Sequence, residues 1–115
     1  MYKTITVLSI KEGTDPDAFI KYHTQSHALD ARKIGGSGLR RYVVNRILEV
    51  MGGQTKKYFA LVEMWWENKG AHDAYAQKGR TFKTASGMNP SEDFEAHGGI
   101  FEFKLHVEEY DIPSK

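Results

Sequence analysis

Phe19-Ile20-Lys21-Tyr22-His23-Thr24-Gln25-Ser26-His27 reads as the heart of a helix. Asp15-Pro16 supplies the start, a carboxylate that can accept from orphan amides followed by a proline in the first turn. No glycine or proline interrupts the run before Gly35-Gly36. At about 100° per residue, Phe19, His23, Ser26 and Asp30 share one face, with Tyr22 and His27 flanking it on either side. A core-facing helix normally fills such positions with aliphatic residues. Aromatic, imidazole and hydroxyl groups instead suggest a face that looks into a wet or ligand-filled space. The plainer readings are two solvent-exposed histidines or a pair bonded at a domain edge. Imidazoles one turn apart can also chelate a metal, but cysteine is absent and His72, His97 and His106 are scattered singly. No metal is expected.

Working outward, residues 2–10 alternate, with Ile5 and Val7 on one side and Thr4, Thr6, Leu8 and Ile10 on the other. That spacing predicts a strand covered on both faces. The helix is expected to end near Ala31, before the glycine-rich connection 33–38. A second strand follows from Leu39 to about Glu49, with Tyr42, Val44, Arg46 and Leu48 on one side. Residues 52–57 read as a mobile hairpin loop. Tyr58 to Trp66 is the most apolar segment and reads as a central strand enclosing Glu63. Asn68 is placed to cap a second helix that turns Ala71, Ala74 and Tyr75 inward and runs to about Thr84. A short capped helix is expected over 91–98, and a last strand over 99–110. In that strand Phe101, Phe103, Leu105 and Val107 form the apolar side, opposite Glu102, Lys104, His106 and Glu108.

The order βαββαβ predicts an α+β, ferredoxin-like antiparallel sheet with its helices on one face. Two helices cover only one face, yet several strands are apolar on both. The economical cover is a second copy, so a homodimer through the sheet face is expected. With 115 residues the chain reads as a single domain over 1–115. Its 16 basic and 15 acidic residues leave a net charge of +1, which favours neither nucleic acid nor an anionic membrane. The sequence has no apolar leader and no run approaching the ~20 residues of a membrane span. A cytoplasmic location is the corresponding expectation.

Phe19-x-x-Tyr22-His23-x-x-x-His27-Ala28, followed by Gly38-Leu-Arg-Arg-Tyr-Val-Val-Asn45, resembles the EthD-like branch of the dimeric α/β-barrel superfamily. The Glu63-x-x-Trp66 strand end that feeds the second helix fits the same pattern. Two departures stand out. The histidine is followed by Ala28-Leu29-Asp30 where the family has Ala-Pro-Leu, and His23 stands where a tryptophan is common. The resemblance implies two sheets paired into a barrel and a pocket between each sheet and its own helices. It implies a small hydrophobic or aromatic ligand, lactone or polyketide-like, generally handled without metal or organic cofactor.

On that basis the leading expectation is a cofactor-independent isomerase, cyclase or lyase working through His/Tyr acid–base chemistry. A non-catalytic accessory or ligand-binding protein and a cofactor-free oxygenase are the alternatives. His27 takes the position of the family's helix-one histidine, as general acid/base or substrate hydrogen bonder; a structural bond to a strand is the competing role. Tyr42, in the Leu-x-x-Tyr strand motif, is placed to hold a carbonyl or enolate oxygen, or to be a cross-strand aromatic with a wet hydroxyl. His23 either tunes the pocket or replaces bulk with bulk. Tyr75 matches a pocket tyrosine of related polyketide cyclases, whose following histidine is absent here from Gln77-Lys78-Gly79-Arg80. Phe19 and Tyr22 are expected against the ligand. Glu63 is either a perturbed carboxylate or the partner of Arg41 or Arg46. Trp65 and Trp66 point to opposite sheet faces, one expected in the pocket and the other at the dimer seam.

Overall fold

The computed structural model describes residues 1–52 and 57–114, so the core of the loop expected over 52–57 lies outside the described residues. Four strands, β1 (Tyr2–Ile10), β2 (Leu39–Arg46), β3 (Ala60–Trp66) and β4 (Gly99–Glu108), form one antiparallel sheet in the order β2-β3-β1-β4. This is the ferredoxin-like α+β arrangement that the element order predicts. The helices are α1 (Pro16–Tyr22), α2 (Ala28–Gly35), α3 (Lys69–Gly79) and α4 (Pro90–Ala96). No helix among the described residues is long and apolar enough to cross a membrane.

Local chemistry sets the boundaries. The Asp15 carboxylate accepts from the Ala18 amide at 3.0 Å, and the Asn68 side chain accepts from the Ala71 amide at 2.8 Å, both satisfying orphan donors of a first turn. Asn89 and Glu92 cap α4 reciprocally. Gly98, at φ +103°, ends that helix in a backbone conformation that L side chains avoid.

Helix one differs from its expectation. It continues to Gly35, and between α1 and α2 the residues His23–His27 form one π-helical turn, in which the Ala28 amide donates to the His23 carbonyl five residues back. The wider turn absorbs an extra residue and rotates everything after it. Phe19, His23, Ala31 and Ile34 are buried, whereas Ser26, expected inward, is exposed. The second helix also stops early, at Gly79, and Ala74 is exposed rather than inward.

The helix-side core joins Leu8, Phe19, Leu39, Val62, Met64, Trp66 and Phe94, each large side chain contributing about 1.5–3 kcal/mol of transfer free energy. Trp66 is fully buried, and its indole N–H donates to the Thr4 hydroxyl at 3.1 Å. The opposite face carries Ile5, Val7, Leu61, Trp65, Phe103 and Leu105. Phe103 and Leu105 remain 44% and 45% exposed. A register shift between Val7 and Leu8 corrects the simple alternation of β4. Phe101, opposite Leu8, turns to the helix side, while Phe103, opposite Val7, stays on the open face.

Candidate functional site

Between sheet and helices lies a cavity of about 620 Å³. Its floor is Thr6, Leu8, Val62 and Met64 on the central strands. His23, His27 and Ile34 line it from helix one, Tyr42 from β2 and Tyr75 from α3, while Phe94 and Phe101 close it from α4 and β4. Phe94 stacks on Phe101 at 4.6 Å between centroids and reaches the His27 ring at 4.5 Å. Gly99 permits this approach, since a Cβ there would overlap the Phe94 ring.

His23 is 1% exposed, ringed by Phe19, Phe94 and His27. Its Nε2 lies 2.9 Å from the Tyr42 hydroxyl, and its Nδ1 is buried with no hydrogen-bond partner among the described residues. An orphaned N–H in such a place costs more than an orphaned lone pair. The ring proton therefore belongs on Nε2, which donates to the Tyr42 oxygen. Tyr42 then keeps its own proton for the cavity and acts as a donor to whatever oxygen sits there. Neither ring nitrogen of His27 meets a hydrogen-bond partner among the described residues.

Burial dominates the protonation of this wall. It lowers the His23 pKa to about 3, with repulsion from His27 adding to the effect. It lowers that of His27 to about 4, against a smaller opposing pull from the Asp93 carboxylate. Burial also pushes the Tyr42 phenol up, and that of Tyr75 up to about 12. At neutral pH the wall is two neutral imidazoles and two neutral phenols, which can donate and accept without carrying charge.

The other candidates stand elsewhere. Phe19 is core beneath the site. Tyr22 donates to Asp93 at 2.7 Å and stacks on His97 at 3.7 Å, tying helix one to α4. Burial opposes the charge on Asp93, but hydrogen bonds from Tyr22 and Ser86 outweigh it and hold its carboxyl below the usual range. Trp66 packs against Tyr75 at 4.8 Å without lining the cavity. Glu63 and Trp65 lie on the open sheet face. Glu63 pairs there with Lys3 at 2.8 Å and accepts from Asn45, not with Arg41 or Arg46. Arg41 lies over the Trp65 ring, and Arg46 pairs with Asp17. No group of three or more potential metal-ligating side chains occurs among the described residues.

Sequence reasoning missed Phe94, Arg80 and Lys104 as lining residues. Lys104 belongs to the polar alternation of β4, and that polar side turns out to be the side facing the helices. The excess of apolar residues opposite it was the available signal.

No family model and no curated protein sequence matches the chain. Solved structures do. HapK from Hahella chejuensis is similar at a TM-score of 0.68 and 14% identity, over 100% of this chain and 98% of that one. An ethyl tert-butyl ether D (EthD) family protein from Bacillus halodurans is similar at 0.60 and 25% identity, over 96% and 99%. A dimeric ferredoxin-like protein from an uncultured marine organism is similar at 0.62 and 16% identity, over 96% and 97%. With the helix-one and Leu-x-x-Tyr motifs seated on it, the chain has the ferredoxin-like α+β fold of these structures and is similar to the EthD family protein among them.

Proposed function

We propose that the protein encloses a flat, largely apolar small molecule and moves a proton on it, as an isomerase or cyclase of aromatic, lactone or polyketide-like compounds. The observation that carries this reading is the convergence of Tyr42 and His27 on a cavity of about 620 Å³ with an apolar floor. The Tyr42 hydroxyl, its oxygen engaged by His23, donates to a ligand carbonyl and stabilises the enolate as charge develops. His27, neutral and unengaged, takes or returns the proton on carbon or oxygen. No step in this scheme calls for a metal or an organic cofactor. The chain works as a homodimer through its open sheet face, in line with the dimeric neighbours, in the cytoplasm.

The low pKa of His27 favours a second reading, an accessory protein that binds such a ligand without transforming it. A base that is hard to protonate drives proton abstraction weakly unless the ligand's own developing charge raises its pKa. Deuterium exchange into an enolisable bicyclic ketone, β-tetralone, followed by NMR in D2O, separates the two. Exchange accelerated by the wild type and lost in His27→Ala supports catalysis. Binding of the ketone with no accelerated exchange sinks it in favour of the accessory reading.

A further inference from the structure

The cavity has a second polar end that proton transfer at Tyr42 and His27 does not use. Nζ of Lys104 lies 2.6 Å from Nε2 of His72, and Nδ1 of His72 lies 3.1 Å from Oδ1 of Asp73. A carboxylate only accepts, so Nδ1 carries the ring proton. Burial keeps the His72 pKa low despite Asp73, so the ring is neutral and Nε2 offers a lone pair. Lys104 is therefore the donor across the 2.6 Å contact. An ammonium with one N–H spent on His72 retains two more, and Lys104 lines the cavity. Arg80, just past the end of α3, lines it too. Among the described residues no carboxylate stands within ion-pair reach of either cation. Glu102, the one acid among the described lining residues, has an interaction of its own.

We propose that the cavity takes an organic acid, a flat ligand whose carboxylate meets Lys104 and Arg80 while its carbonyl or phenol oxygen meets Tyr42. This rests on the ligand-pocket reading above and narrows it to a substrate class. The topology sets the length. Tyr42 is on β2 and Lys104 on β4, the two outer strands, so three strand spacings, roughly 14 Å, separate their backbones. Tyrosine and lysine side chains reach inward from both edges and leave a span that a naphthalene-sized skeleton fills. Thr6 and Val62, in one row with Lys104 across the sheet, form the floor between them. A carboxylate at the cationic end gains hydrogen bonds charged on both sides and an ion pair with them, whereas an amide of the same shape accepts from the cations without carrying a charge of its own. His72 and Asp73 act as positioning residues, holding the ammonium at the cavity edge.

The test uses a matched pair of probes, a hydroxynaphthoate and the corresponding hydroxynaphthamide, each with its two substituents at opposite ends of the ring system. Titration calorimetry of the full chain is expected to give the acid at least about tenfold the affinity of the amide, a preference that falls as salt rises. Lys104→Met should erase most of that preference by weakening the acid far more than the amide, and amide binding that persists reports an intact cavity. Arg80→Met is read the same way. Equal affinity for acid and amide overturns the proposal while leaving the pocket standing, as does an acid preference that survives both substitutions. Binding of neither compound overturns the pocket reading and this inference with it.

Discussion

The buried contact between His23 and Tyr42 joins stability to chemistry at one pair of atoms. Tyr42→Phe removes the acceptor of the Nε2–H and leaves a second buried polar atom on a ring whose Nδ1 is already unpartnered. Urea denaturation should record a loss of about 1–3 kcal/mol, and enolate stabilisation should vanish with it. His27→Ala orphans no such partner. It should cost β-tetralone exchange about a hundredfold or more while leaving the melting temperature close to that of the wild type. A large loss of stability with exchange intact would end the catalytic reading of His27. The same residues predict a pH dependence. Both imidazoles have folded pKa values below their unfolded value of about 6.5, at about 3 and about 4. Their neutral forms therefore contribute fully above the unfolded value, and that contribution is lost as pH falls from about 6.5 toward the folded values. In the middle of that window each adds a slope on the order of 1.4 kcal/mol per pH unit. Denaturation midpoints at pH 7, 6 and 5 are expected to fall through that range, and to fall less steeply in His23→Phe, where His27 alone still contributes. The carboxylates depressed in the fold, such as Asp93, act at lower pH and do not explain a fall above pH 5.

At the scale of elements, what was legible in the sequence depended on which force set the boundary. Caps were legible because their donors and acceptors are local, as at Asp15 and Asn68, although the cap of α4 is Asn89, two residues before the helix start read at Ser91. The strand assignments followed from alternation, and with them the antiparallel order. Two irregularities were not legible. The π turn at His23–His27 has no glycine or proline to mark it. It exists because packing Phe19 and His23 together with Ala31 and Ile34 against one sheet needs a residue more than a regular helix supplies. The β4 register shift is likewise a tertiary adjustment, and it moved Phe101 into the site, onto the side of Lys104 and away from the apolar row it was read in. His27 and Tyr42 were thus singled out by motif, and the Asp73–His72–Lys104 chain not at all, since it joins α3 to β4. The π turn carries its own prediction. Deleting exposed Gln25 should restore a regular helix and swing the cavity-facing groups of His23 and the residues before it about 100° relative to α2. Far-ultraviolet circular dichroism should keep its helical signal, while naphthoate binding disappears.

For the whole molecule the open sheet face is the governing feature. Ile5, Leu61, Trp65, Phe103 and Leu105 lie on it around an already buried Val7, and contiguous apolar surface of this kind is costly to leave in water. Its polar members are already satisfied within one chain. Lys3 is buried between Glu63 at 2.8 Å and Glu109 at 2.7 Å with Trp65 over its Nζ, and the Trp65 indole donates to Glu109. An approaching copy would thus meet paired charges and bare hydrocarbon, the combination that lets a face be covered without stranding a charge. Phe103 and Leu105 sit on β4, the outer strand, where half-exposed side chains gain most from a partner. Light scattering at micromolar concentration should therefore report about twice the 13.1 kDa of the chain. Leu105→Asp places a carboxylate on that hydrocarbon, where burial in an interface would cost several kcal/mol, and should yield a monomer. The helix-side cavity lies on the other side of the sheet, so the monomeric variant should still bind the hydroxynaphthoate. A wild-type mass of 13.1 kDa at that concentration would refute pairing through this face.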